Sequence, residues 1–205
     1  MTDLTLIHTA EVHRTTFDDL AARLVPRARL AHILRPDWLV RAQTGIDADL
    51  EAEVTEAIRS ASGPVLCSCS TLGPLAAEAG ALRIDAPMMA RAARIRGPVL
   101  LAYCLNSTRA PSVALLEAAF AAEGKAADIR LLDLRQLWPL FENGETRRFT
   151  QEIARQVSMA LEAAPDIACA VLAQASMAGA APHLETTVPV LSSPETALLH
   201  ALGLE

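Results

Sequence analysis

The sequence predicts an α/β protein of two pseudosymmetric lobes, each a short, mostly parallel sheet flanked by helices. Short β-rich runs alternate with longer helical patterns along the whole chain, which is the signature of parallel βα units. Hydrophobic residues make up 52% of the chain but aromatics only 3%. The core must therefore be built from Ala, Leu, Val and Ile, a mixture suited to stacked helix and parallel-sheet layers. The chain also repeats itself: Val65-Leu66-Cys67-Ser68-Cys69-Ser70-Thr71-Leu72-Gly73 lies without gaps on Val171-Leu172-Ala173-Gln174-Ala175-Ser176-Met177-Ala178-Gly179. Each copy is followed by a short strand and a Pro-led helix, at Ile84-Asp85-Ala86-Pro87 and at Leu191-Ser192-Ser193-Pro194, as a duplicated unit would be.

The elements follow in order. A first strand is expected over 4–9, then a helix with Phe17, Leu20, Ala21 and Leu24 at helical spacing, N-capped by Thr15 or Thr16. A strand over 28–34 and a helix over 47–60, acidic near its start, precede Gly63-Pro64 and a strand over 65–69. Pro74 opens a helix over 74–79, because its missing N–H costs little in a first turn. A short strand over 83–85 and a helix over 87–96 complete the first half. The second half repeats the rhythm, with strands over 99–103, 129–134, 167–173 and 188–191. Its helices are expected over 111–123, 146–163, briefly near Gly179, and over 194–202. The lobes divide as 1–96 with 192–205, and 97–191. Met88 and Met89 read as core or lobe-interface packing.

Composition excludes several classes of function. With 18 basic against 24 acidic residues and a net charge of -6, the surface repels a phosphate backbone, so nucleic acid is a poor partner. Arg91, Arg94 and Arg96 lie where a helix ends and complement its dipole. Met1-Thr2-Asp3-Leu4 lacks the basic and apolar regions of a secretory signal, and a cytoplasmic location is expected. The longest apolar stretch, 167–182, is interrupted by Gln174, Ser176 and Gly179 and is too short to cross a bilayer. Cys67, Cys69, Cys104 and Cys169 then read as buried or reactive thiols rather than a disulfide frame. Ala-rich helices offer a surface for a second copy, which makes a homodimer a candidate assembly.

Ligands of open α/β sheets sit beyond the carboxyl ends of the strands, so two facing units would place their strand-to-helix turns at an inter-lobe cleft. Cys69, Ser70 and Thr71 would line one side, Gln174 and Ser176 the other, and helix-start N–H groups would favour a carboxylate. A thiol at a strand end before a helix start is placed for a lowered pKa, although cysteine is also among the most buried residues. Cys67 and Cys69 share a strand face without a second Cys/His pair at zinc spacing, so no metal is expected. The spacing of His8 and His13 is not a helical zinc motif, and His13 reads as a surface residue.

Cys69-Ser70-Thr71 after an apolar strand, the matching turn Ala173-Gln174-Ala175-Ser176-Met177, and Asn106-Ser107-Thr108 after a strand together resemble the aspartate/glutamate/hydantoin racemase superfamily. The likeness spans nearly the whole chain. It implies two α/β lobes, no cofactor, and proton transfer at a carbon next to a carboxylate by facing cysteines. By resemblance, Cys69 matches the first-lobe cysteine, its triplet being similar to the family's Cys-Asn-Thr turn. An alternative register gives that role to Cys67. In the turn Asn106-Ser107-Thr108, the Ser107-Thr108 pair matches hydroxyls that hold the substrate carboxylate, and the family's use of the loop after the first strand to line its pocket makes His8 a candidate pocket residue. Gln174 stands where the second cysteine is expected, and an amide cannot shuttle protons at neutral pH. The resemblance therefore implies one-thiol chemistry. Arylmalonate decarboxylases also work with one cysteine, although theirs lies in the other lobe.

The expected function is a cofactor-independent isomerase or lyase in which Cys69 transfers a proton, Gln174 orients the substrate, and Ser70, Thr71, Ser107, Thr108 and Ser176 hold its carboxylate. Each hydroxyl taken alone is as readily a helix cap. The alternative is a member of the same fold that binds a small carboxylate without turning it over. Reversible Cys67–Cys69 disulfide formation ranks last, since so short a loop strains the bond.

Overall fold

Two four-stranded parallel sheets of the same strand order organise the chain, which a computed structural model describes over residues 2–204. The first half runs β1 (Leu4–His8), α1 (Glu11–Leu24), β2 (Leu30–Leu34), α2 (Pro36–Ala42), α3 (Ala48–Arg59), β3 (Val65–Cys67), α4 (Gly73–Glu78) and β4 (Leu82–Arg83). Its sheet has the order β2-β1-β3-β4. The central strands β1 and β3 are buried throughout, which accounts for their nearly unbroken apolar sequence. One face carries Ile7, Val65 and Cys67 against Trp38, Leu50 and Val54.

The second half runs α5 (Ala86–Arg94), β5 (Val99–Tyr103), α6 (Asn106–Ala122), β6 (Ile129–Asp133), α7 (Trp138–Glu142), α8 (Thr146–Ala163), β7 (Cys169–Leu172), a 3₁₀ segment Ala175–His183, β8 (Val190–Leu191) and α9 (Ser193–Ala201). Its sheet has the order β6-β5-β7-β8. Phe149, Ile153 and Val157 of α8 cover one face over Leu100, Ala170 and Leu172.

By packing, residues up to Ala86 group with Pro194 onward, and Pro87–Ser193 forms the other unit. This division moves α5 out of the first lobe, where the sequence reading places it. Met88, Met89, Ala92 and Ala93 pack on Val99, Leu101 and Val171, so the helix belongs to the core of the second sheet. The closing helix rejoins the first unit, where Arg23 meets Glu195 at 2.9 Å. Arg91 and Arg94 do lie in the last turn of α5.

Several boundaries differ from expectation for local reasons. α1 begins at Glu11, so Thr15 and Thr16 lie inside it, and the Thr16 hydroxyl donates to the Val12 carbonyl at 2.8 Å instead of capping. The cap belongs to Ala10, which has no side-chain oxygen to offer. Asp47, by contrast, caps α3 by accepting the Leu50 N–H at 2.7 Å. α6 starts at Asn106, which leaves Pro111 as its sixth residue and places Asn106, Ser107 and Thr108 in the first helical turn. α2 and the turn Arg135–Leu137 leading into α7 fall where no element was expected. β3 stops at Cys67, and Ser68 prolongs its ladder by donating its N–H to the Ile7 carbonyl at 2.9 Å. No helix of the described residues is long and apolar enough to cross a membrane.

The register of the sheets corrects the gapless overlay by one residue. β1 and β5 pair identically with β2 and β6, so Ile7 corresponds to Ala102. Ser68 N–H donates to the Ile7 carbonyl, and Ala173 N–H to the Ala102 carbonyl at 3.0 Å. Ser68 therefore corresponds to Ala173, and Cys69 to Gln174 rather than Ala175.

Candidate active site

In each unit the order of strands reverses beside its central strand, between β1 and β3 and again between β5 and β7. Sheet geometry opens a crevice at the carboxyl ends of such strands. In the first unit those ends carry His8, Thr9 and the turn from Ser68 to Leu72.

Cys69 is only 6% exposed and touches the apolar cluster around Trp38 and Leu72. Its sulfur nevertheless receives three donors: the Thr9 hydroxyl and the N–H groups of Leu72 and Thr71. Burial pushes the thiol pKa up, while these donors pull it down and the Asp85 carboxylate adds to the rise. Cys67 differs in degree, since a backbone hydrogen bond from Cys69 and the nearby Arg83 charge pull its pKa down against a larger rise. Its Sγ–H points at the Cys69 carbonyl at 3.8 Å, and burial, reinforced by Cys69, raises its pKa far above the usual thiol range. Burial with one backbone hydrogen bond leaves Cys67 a neutral thiol, whereas three donors around the Cys69 sulfur are ready for negative charge. Cys104 and Cys169 are pushed by burial up to about 12 and about 11. All four cysteines are free.

Ser70 and Thr71 are buried in the turn after β3. In the second unit Thr108 is buried, Ser107 and Ser176 half-buried and Asn106 exposed, all at helix starts. Gln174 is buried, and its Oε1 accepts the N–H of Cys104 at 2.6 Å and of Leu105 at 3.1 Å. That oxygen ties the exit of β7 to the exit of β5. Gln174→Ala strands both N–H groups and is expected to lower stability by about 1–3 kcal/mol, read as a shift of the urea midpoint at constant slope. An unchanged midpoint would show that the two amides find other partners.

His8 is fully buried and both of its ring nitrogens are engaged, Nδ1 with Ser68 Oγ at 2.8 Å and Nε2 with His32 Nδ1 at 2.9 Å. Burial, with smaller contributions from His13, His32 and Arg14, lowers its pKa to about 3. His13 is buried rather than at the surface as expected from sequence, and desolvation takes it to about 4. Among the described residues, no group of three or more His, Cys, Asp or Glu side chains is arranged to hold a metal ion.

Sequence reasoning missed Thr9, Ser68, His32, Asp18 and the pair formed by Arg83 with the fully buried Asp85. The visible signal was His32 interrupting an apolar strand and Asp85 opposite Arg83 two residues away.

No family model and no curated protein matches the chain. Among solved structures it is similar to glutamate racemase from Thermus thermophilus in complex with beta-chloro-D-alanine, at 19% identity over 99% of this chain and 82% of that one, with a TM-score of 0.62. It is similar to a glutamate racemase isoform from Bacillus anthracis at 17% identity, covering 99% and 83%, with a TM-score of 0.65. Picrophilus torridus aspartate racemase matches at 12% identity, 98% and 93% coverage, and a TM-score of 0.63.

Proposed function

We propose, from the premise that the chain has the fold of the glutamate and aspartate racemases, that it is a cofactor-independent isomerase or lyase acting at the carbon alpha to a carboxylate. The observation that carries this reading is the set of three donors on the Cys69 sulfur. Burial favours the thiol, the form that delivers a proton to carbon. Once the proton has gone, Thr9 and the two backbone N–H groups receive the charge left on sulfur. In the reverse sense the same donors hold a thiolate that removes the alpha proton. Ser70 and Thr71 follow in the same turn and supply hydroxyls for the substrate carboxylate. Asn106, Ser107, Thr108 and Ser176 supply polar groups of the same kind in the second unit.

Gln174, at the position equivalent to Cys69, cannot act as an acid or base at neutral pH. One thiol suits proton delivery from one side, as in loss of carbon dioxide or isomerisation through an enediolate, better than two-base racemisation. Incubation in deuterated buffer with amino acids, hydroxy acids and substituted malonates is expected to place one deuterium at the alpha carbon of a substrate. Cys69→Ser should slow that incorporation by about 10²–10⁴-fold, the usual contribution of a positioned acid or base.

The burial of Cys69 within an apolar cluster favours one other reading, a carboxylate-binding member without turnover. That reading gains if a carboxylate of the panel binds while none exchanges its alpha proton or releases carbon dioxide.

A further inference from the structure

Four side chains of the first unit form a continuous hydrogen-bonded line. Asp18 Oδ1 meets His32 Nε2 at 3.1 Å, His32 Nδ1 meets His8 Nε2 at 2.9 Å, and His8 Nδ1 meets Ser68 Oγ at 2.8 Å. The two imidazoles are 22° from coplanar with centroids 5.2 Å apart, a separation that so short a bond reaches only when the nitrogens point straight at each other. A carboxylate only accepts, so with both rings neutral the polarity is set along the line. His32 donates to Asp18, His8 donates to His32, and the Ser68 hydroxyl donates to His8. The line also runs from solvent to the interior: the Asp18 side chain is 53% exposed, that of His32 13%, and His8 and Ser68 are buried. Phe17 packs on His8 with centroids 5.6 Å apart, and Arg14 and His13 are the other charged or titratable groups near it.

The fold does not require this line. The second unit has the same topology and carries Tyr103 at the position of His8, Leu131 at that of His32 and Ala173 at that of Ser68. Burying polar rings costs free energy that hydrogen bonds must offset. A structural role alone leaves unexplained why one unit bears that cost and its twin avoids it.

We propose that Asp18, His32 and His8 form a proton relay ending on Ser68, which makes the Ser68 hydroxyl a second proton-handling group beside Cys69. The proposal rests on the reading of the site given above. In the forward step the substrate's alpha C–H bond breaks and its proton goes to Ser68 Oγ, leaving the electron pair in the enediolate. The former Ser68 proton passes to His8 Nδ1, the His8 Nε2 proton to His32 Nδ1, and the His32 Nε2 proton to Asp18, which exchanges with water. Both rings end as the opposite tautomer, and no oxidant or metal takes part. His8 and His32 are positioning residues that act through Ser68. A site with one thiol thereby gains a second place to put a proton.

The first test needs no substrate. In protein labelled with ¹⁵N-histidine at neutral pH, His8 and His32 are both expected as Nε2–H tautomers. Asp18→Ala, an exposed substitution, is expected to shift the ring nitrogens of His8, which Asp18 does not touch. A His8 carrying its proton on Nδ1, or a His8 spectrum unchanged by Asp18→Ala, overturns the relay whatever the activity. The second test is kinetic. Ser68→Ala is expected to lower kcat for alpha-deuterium exchange by about 10²-fold with KM little changed, and Ser68→Thr to recover much of it. Equal kcat in Ser68→Ala and the parent protein overturns the assignment of Ser68. Absence of exchange in the parent protein counts against the functional reading instead, and the tautomer result still decides the relay.

Discussion

Arg83→Met is expected to destabilise the first unit by about 3–5 kcal/mol, the usual result of removing one partner from a buried ion pair. Asp85 is fully buried, and its two oxygens meet Arg83 Nε at 2.9 Å and Nη2 at 2.8 Å. Without the guanidinium, the carboxylate keeps its burial but loses the partner that offsets it. The pair also shapes its surroundings, because a Cβ on Gly73 would stand 2.8 Å from Arg83 Nε, so only glycine lets the guanidinium lie across the start of α4. Combining Arg83→Met with Asp85→Leu is expected to recover much of the loss, since no lone charge remains. Urea denaturation of the single and double variants checks both statements. A loss under about 1 kcal/mol in Arg83→Met would mean that Asp85 is solvated, against its burial.

The second large effect is a loss of stability in mild acid. His8 and His13 have folded pKa values lowered to about 3 and about 4, whereas an unfolded histidine titrates near 6.5. The unfolded chain therefore binds more protons than the folded one once the pH drops below about 6.5. The stabilising contribution is complete above that pH. It is lost on acidification at up to about 1.4 kcal/mol per pH unit for each ring, until about pH 4 for His13 and about pH 3 for His8. Carboxylates with lowered pKa, such as Glu53 at about 2 beneath Arg41, Trp38 and Arg35, act only below about pH 4.5. The interval from pH 6.5 to 4.5 thus isolates the histidines among these groups. Urea midpoints should fall steeply across it, and His13→Gln should flatten part of the slope. A midpoint constant from pH 7 to pH 5 would show that water reaches both rings.

Strong local patterns made most of the fold legible. The helix expected over 146–163 forms as α8 with those ends, because its apolar face repeats at helical spacing over five turns. The seven-residue α2 was invisible for the opposite reason. It is too short to hold itself, and its partners lie in α3, where Glu53 accepts from Trp38 Nε1 at 3.0 Å and from Arg35 and Arg41. Pro111 misplaced the start of α6, since the usual preference of proline for a first turn does not exclude it from the sixth position. The repeat was legible in outline, but residue identity alone could not fix its register, and the overlay slipped by one where hydrogen bonds pair Cys69 with Gln174.

Of the candidate site, the part contained in one turn was the part visible in the sequence. Cys69, Ser70 and Thr71 are neighbours in sequence, and a thiol after a strand is a recognisable pattern. The line from Asp18 to Ser68 joins residues 24 and 60 positions apart, through His8, and only the pairing of β2, β1 and β3 brings them together. The fate of Gln174 was hidden for the same reason, since its oxygen is engaged by amides 70 and 69 residues away.

The proposed chemistry turns on which sulfur moves the proton. Alpha-deuterium incorporation into a turned-over carboxylate, followed by proton NMR in Cys67→Ser and Cys69→Ser side by side, decides it. Incorporation should persist in Cys67→Ser and slow by about 10²–10⁴-fold in Cys69→Ser. The reverse pattern, or equal rates in both, would contradict it.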